Sequence, residues 1–276
     1  MARKARPNSL SRIIIAVVAI SLCVFAWQTW ADSGKTVLSA SASKTPADNL
    51  MTVAVPDSIP QIDKRYTGFN LSFNPHLHIP NWVAWELTAT ETYGEVKRSS
   101  KFVCDETVSG SADPWDYNYS GYDRGHMCPA ADMKWDPDAM RDCFFMTNMC
   151  PQQKQFNSGT WAKLEAKCRQ WARNDSAIII VCGPILTDPI TETIGDTRVA
   201  VPKRFFKVVL SPHARPTARG IGFLFNNGSN PGGMQQCAVT IDEVERITGL
   251  DFFAALPDDI ETIVESQCDF PSWPRH

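Results

Sequence analysis

The chain has no Cys-x-x-C pair, no internal repeat and no surplus of basic residues, and each absence narrows what it can be. Without Cys-x-x-C spacing a structural zinc site is disfavoured, although nine cysteines are present. Lys and Arg number 27 against 30 Asp and Glu, so the molecule as a whole does not attract polyanions. Any such binding must rest on a local basic cleft. Apolar residues make up 43% and charged residues 21%, with nine tryptophans, which excludes a disordered or collagen-like chain.

The one long apolar run lies at the start. Arg3, Lys4, Arg6 and Arg12 precede Ile13–Trp27, the layout of a secretory signal peptide or signal anchor over residues 1–31. Fifteen residues fall short of the ~20 that span a bilayer, which favours cleavage after Ala31. An exported protein is therefore expected, touching a membrane only through an uncleaved anchor. Residues 32–60 are rich in Ser, Ala, Thr, Asp and Pro and read as a flexible linker. Residues 61–276 show no second linker and read as one domain.

Within that domain the apolar patterns mix two periods. Trp82–Thr88, Phe144–Met149, Ala177–Cys182, Phe205–Leu210 and Ile221–Phe225 read as strands. Residues 158–174 place Trp161, Leu164, Cys168 and Trp171 at helical spacing, and helices are expected near 240–248 and 257–267. Several strands with few helices predict an α+β fold, a central antiparallel sheet with helices on its faces.

The densest group of chemically capable side chains runs from Asp123-Arg124-Gly125-His126 to Glu165. A histidine beside an arginine can activate water while the cation meets phosphate, and glycine lets a backbone approach closely. Between them lie Thr147-Asn148-Met149-Cys150-Pro151-Gln152 and Phe156-Asn157-Ser158-Gly159-Thr160-Trp161. His76 and His78, in a Pro-bounded stretch without a third ligand, read as loop residues, and His213 as a surface turn.

Taken together, Tyr122–His126, Pro129–Met133, Asn148 with Pro151-Gln152, and Asn157 with Gly159 and Trp161 resemble the sugar-non-specific DNA/RNA endonuclease family. Trp82–Trp85 and Arg98 upstream, and Cys182–Ile185, Val201–Lys203 and Ile241–Glu245 downstream, extend the resemblance over nearly all of the chain after about Tyr66. It implies a ββα-metal finger, Mg2+ as cofactor with Mn2+ as a substitute, and DNA and RNA as substrates.

In that resemblance His126 is the general base, Asn157 the metal ligand, and Arg98 and Arg124 lie at the phosphate. Asp123, Asn148 and Gln152 are supporting members. An ordinary imidazole, with its pKa near ~6.5, is mostly neutral at pH 7–8 and able to take a proton. Glu165 is harder to place, because eight residues of regular helix put it about 12 Å along the axis from Asn157; it reaches the metal only through water. The rival reading is a nucleic-acid-binding module that keeps the fold without turnover.

Cysteine follows compartment. With Cys23 in the leader, the other eight form an even set, and export favours disulfides. In the implied metal finger, Cys128 and Cys150 are candidates to face each other, and Cys237 and Cys268 flank the last two helices. The competing reading is eight reduced thiols packed as small apolar residues.

Overall fold

The computed structural model describes residues 47–274. The leader and most of the linker, residues 1–46, lie outside the described residues, and no described helix is long and apolar enough to cross a membrane.

The chain opens with a short helix α1 (Ala47–Leu50) and then the strands β1 (Ile62–Arg65), β2 (Asn70–Asn74) and β3 (Ile79–Thr88). A long excursion carries β4 (Asp123–His126), the helix α2 (Pro137–Asp142) and β5 (Met149–Gln152). The helix α3 (Ala162–Asp175) leads to β6 (Ala177–Pro184), the two-residue strands β7 (Thr193–Ile194) and β8 (Val199–Ala200), then β9 (Arg204–Ser211) and β10 (Arg219–Asn226). The remaining elements are α4 (Met234–Cys237), β11 (Ala238–Val239), α5 (Ile241–Thr248) and α6 (Asp258–Glu265).

Seven strands form one antiparallel sheet in the order β1-β2-β3-β6-β9-β10-β11, and β4 pairs with β5 apart from it. Its central strands are buried on both faces, all eight residues of β6 included. Alternation divides their side chains between two cores. Val83, Trp85, Leu87, Ile178, Ile180, Phe205 and Val209 pack against α3 and the β4–β5 excursion. Trp82, Ala84, Ile179, Val181, Phe206, Val208 and Leu210 pack against α1, α5 and α6. Each fully buried large side chain contributes roughly 1.5–3 kcal/mol, so the two cores hold the sheet rigid between the layers.

On the second face the helices come close because β10 carries glycine where they cross. A Cβ at Gly220 would meet Ile241 Cδ1 at 2.6 Å and Val264 Cγ1 at 2.7 Å. The α5 helix is capped by Thr240, whose Oγ1 accepts from the Glu243 N–H, and ends on Gly249 in the left-handed region.

Three expectations need correction. Residues 47–60, read as linker, are packed: Leu50 and Val53 are buried in the second core and Ala54 bridges to Asp251. Two apolar anchors in a polar stretch suffice to dock it. Residues 144–149 do not form one strand; a 3-10 turn at Met146–Asn148 precedes β5.

The disulfide reading also fails, since all eight cysteines of the described residues are free thiols. In the β4–β5 register Gly125 faces Cys150 and His126 faces Met149, so Cys128 lies three residues along from the position opposite Cys150. The residue that faces Cys150 across the pair is thus Gly125, not Cys128. Burial raises Cys128 and Cys150 well above the usual thiol range and Cys143, Cys168 and Cys182 to about 12, so these thiols stay protonated.

Candidate active site

The functional residues converge where two short strands meet a helix. The β4–β5 pair carries Asp123 opposite Gln152 and Arg124 opposite Pro151. A close approach fixes this pair: a Cβ on Gly125 would sit 2.2 Å from Gln152 Oε1 and 2.4 Å from its Cγ. Only glycine lets the fully buried Gln152 lie across the strand. Asn148 braces the other end. Its Oδ1 accepts from the Cys128 N–H at 2.9 Å, and its Nδ2 donates to the Cys128 and Cys143 carbonyls at 2.9 Å each. With that side chain satisfied and fully buried, its role is to hold the loop.

The segment after β5 is not a regular helix. Phe156–Trp161 forms a wide π-type turn broken at Gly159, where φ is −101° and ψ −109°, and α3 begins only at Ala162. The distance expected between Asn157 and Glu165 from one straight helix therefore does not apply. Such wide turns recur at functional sites. Trp161 ties this turn to β4, its Nε1 donating to the His126 carbonyl at 3.2 Å.

Asn157 is oriented by a carboxylate. Its Nδ2 donates to Asp123 Oδ2 at 2.9 Å. With the amide nitrogen committed, Oδ1 is the group left for a cation.

His126 sits in an aromatic cradle, 8% exposed. Its ring meets Phe144 edge-on at 4.9 Å and Phe102 at 5.5 Å, and the two phenyl rings are 5.0 Å apart. Each ring supports a guanidinium: Arg98 lies 5.2 Å from the Phe144 centroid and Arg124 5.3 Å from that of Phe102. Neither arginine forms an ion pair among the described residues. Arg98 is exposed, while Arg124 donates through Nη2 to the Pro114 carbonyl at 2.5 Å and to Asn118 Oδ1 at 2.7 Å.

Burial first, and the Arg98 charge second, pull His126 from the ordinary imidazole value down to about 3. Its Nε2 is buried without a partner among the described residues, so no acceptor there favours an imidazolium. The sequence-based expectation of an unperturbed histidine is thus corrected. Desolvation depends on Phe102 and Phe144, which lie outside the His126 motif.

A stability test follows, because the unfolded chain takes up this proton near pH 6.5 and the folded one only near pH 3. The corresponding stabilisation is complete above pH 6.5 and is lost as pH falls toward 3. The melting temperature of the wild type should fall more steeply between pH 6.5 and 4 than that of His126→Gln. Parallel curves would show that the ring is not desolvated.

Glu165 stands in the first turn of α3, and burial raises it to about 7 against the opposing charge of Lys207. Lys207 was not singled out from the sequence. It is fully buried in β9, its ammonium 4.1 Å from the Trp161 ring and 5.1 Å from that of Trp85, with no oxygen acceptor among the described residues. Burial alone would strip its proton, but Cys182, Cys168, Glu165 and Asp132 outweigh it and hold the pKa above the ordinary lysine value. At neutral pH only the two carboxylates among these carry charge. Asp132, also buried, accepts from Trp85 Nε1 at 3.1 Å and pairs with Arg169 at 2.8 Å. A lysine inside Phe205-Phe206-Lys207-Val208-Val209 was the available signal.

His76, His78 and His213 stay outside this group. His76 and His213 are exposed, and His78 lies in a loop with Nδ1 2.8 Å from the Gly110 carbonyl.

The family model for DNA/RNA non-specific endonucleases matches residues 47–259. The chain belongs to this family. Among curated relatives, nuclease EXOG of Danio rerio is 36% identical over 69% of the chain and 60% of that protein, so the chain spans less than two thirds of its length. A nuclease of Nostoc sp. is 32% identical over 81% of the chain and 84% of that protein. A chain in a crystal structure of the EndoG/EndoGI complex superposes with a TM-score of 0.66 at 28% identity, covering 71% of this chain and 86% of that one.

These relatives overturn the expectation of export. Danio rerio EXOG, the Saccharomyces cerevisiae mitochondrial nuclease and Bos taurus endonuclease G are mitochondrial by name, and the leader that suggested export lies outside the described residues. The prior for disulfides falls with it, in line with the free thiols.

Proposed function

We propose that this endonuclease-family chain hydrolyses phosphodiester bonds of DNA and RNA with little sequence preference, with His126 as general base and Mg2+ held through Asn157. The observation that carries this reading is a neutral imidazole flanked by two phenyl-supported guanidiniums, on the strand whose Asp123 binds the Asn157 amide nitrogen and leaves its oxygen free.

The donor set fits a hard cation. Asn157 Oδ1 offers oxygen, as would the Glu165 carboxylate if it reaches the ion through water, and so sparse a set suits Mg2+, which keeps most of its waters. When bound, the ion supplies positive charge against the negative charge that develops on the phosphoryl and departing oxygens.

The other steps belong to the chain. Arg98 and Arg124 meet the phosphate, whose negative charge offsets theirs and favours proton uptake on the adjacent ring. His126 takes the proton of the attacking water, a contribution typically worth about 10²–10⁴ in rate. Asp123 keeps the Asn157 amide turned, Gln152 and Asn148 keep the finger in register, and Lys207 opposes the burial that raises Glu165.

Digestion of single- and double-stranded DNA and RNA, with Mg2+ and with chelator, tests the proposal. All four are expected to be cut with Mg2+ and none with chelator, and rates should fall steeply with salt because recognition rests on phosphates. Mapping of cleavage sites on a long duplex should show a shallow preference. A sharp consensus of four or more bases, or cutting undiminished by chelator, would contradict the reading.

A further inference from the structure

On the face of the sheet away from His126, the last turn of α6 holds a carboxylate with nothing to neutralise it. Glu265 is 7% exposed, and its Oε1 is buried without a hydrogen-bond partner. It also lies at the helix C-terminus, where the backbone dipole already disfavours negative charge. A buried unpaired carboxylate is costly unless something compensates it.

Two more carboxylates converge on it from α5. One oxygen each of Asp242, Glu245 and Glu265 lies within 4.8 Å of the others. Asp251 and Glu261 add negative charge from the neighbouring loop and from α6. No Lys, Arg or His forms an ion pair with Asp242, Glu245 or Glu265 among the described residues. Arg246, the basic residue of α5, is engaged by Glu243 through two bonds of 2.7 Å. Burial, with the mutual repulsion second, raises Glu265 to about 9; burial likewise raises Glu245 to about 7.

We infer that Asp242, Glu245 and Glu265 form a binding site for a hard divalent cation of the Ca2+ type that cross-links α5 to α6. Oxygens from three carboxylates within 4.8 Å of one another can all be ligands held at ~2.4 Å from one ion, and the flexible shell of Ca2+ accepts such a set without ideal octahedral geometry. All donors are carboxylate oxygens, which excludes a soft metal. Glu245 keeps one oxygen for the Phe252 N–H at 2.8 Å, so its other oxygen serves the ion. Asp242 is exposed, which leaves the ion open to water for the rest of its shell. Binding therefore displaces the protons that these carboxyls would otherwise retain, links two helices that pack on the same strand, and stabilises the domain from the side opposite the chemistry.

The test is thermal denaturation of the full chain carrying Asn157→Ala, which removes the principal ligand proposed for the active-site cation, during titration with CaCl2. The midpoint should rise by about 3–6 °C at a tenfold excess of Ca2+ over its dissociation constant. Adding Glu265→Gln or the exposed Asp242→Asn should abolish the rise, and neither change alone should alter nuclease activity. Without metal, Glu265→Gln should melt above its parent at pH 8, because a carboxyl whose pKa is raised by folding costs stability as pH increases. No Ca2+ response in the Asn157→Ala protein, or a full response retained by Asp242→Asn, would overturn the inference.

Discussion

His126→Ala is expected to fold, to bind nucleic acid near the wild-type affinity, and to lose at least about 10² in turnover. The ring contacts Phe102 and Phe144, but the strand carrying it is fixed by the β5 register and by the Trp161 bond to its backbone carbonyl, which alanine retains. In the proposed mechanism binding rests on the Arg98 and Arg124 guanidiniums, which keep their phenyl supports in this variant. The loss should therefore appear in kcat with KM nearly unchanged. Asn157→Ala is expected to be nearly as inactive but to fail differently, recovering part of its rate in excess divalent ion. Equal rates for either variant and the wild type would remove that residue from the mechanism.

Lys207→Met carries the second large effect. The methionine fills similar volume between Trp85 and Trp161, and replacing a buried charge by a packed apolar group is often neutral or stabilising, so folding should survive. The partner left behind is Glu165. Its carboxyl, already raised to about 7, loses the strongest opposing charge and retains only those of Arg169 and Arg98 against the repulsion of Asp132. The acid limb of the activity profile should move up by about one pH unit, lowering the rate at pH 7 roughly fivefold and sparing it only above about pH 9. A uniform loss at all pH values would mean that Lys207 serves packing alone.

Much of this arrangement was legible in residue order, for physical reasons that differ between elements. Ala177–Cys182 and Phe205–Leu210 are buried on both faces, so their apolar runs announce strands β6 and β9 without any knowledge of partners. The helices near 240 and 257 carry their own start signals, Thr240 as cap and Pro257 just before the first turn. Asp123–His126 and Asn157 stood out as candidates through motif order, and the Asp123–Asn157 hydrogen bond brings that strand and turn together.

What stayed hidden depends on distant packing. The wide turn at Phe156–Trp161 follows from Trp161 reaching His126, a contact between segments 35 residues apart. The depressed pKa of His126 comes from Phe102 and Phe144, and the docking of residues 47–60 from Leu50 and Val53 meeting the far sheet face. Export and disulfides failed together. They shared one premise, a leader that lies outside the described residues.

Plasmid nicking under one set of conditions tests the central claim most directly. Supercoiled DNA is incubated with the wild-type chain and Mg2+, with the wild-type chain and chelator, and with His126→Ala and Mg2+. Relaxed and linear products in the first reaction alone are the predicted result; nicking in the presence of chelator, or by His126→Ala at the wild-type rate, would contradict the account.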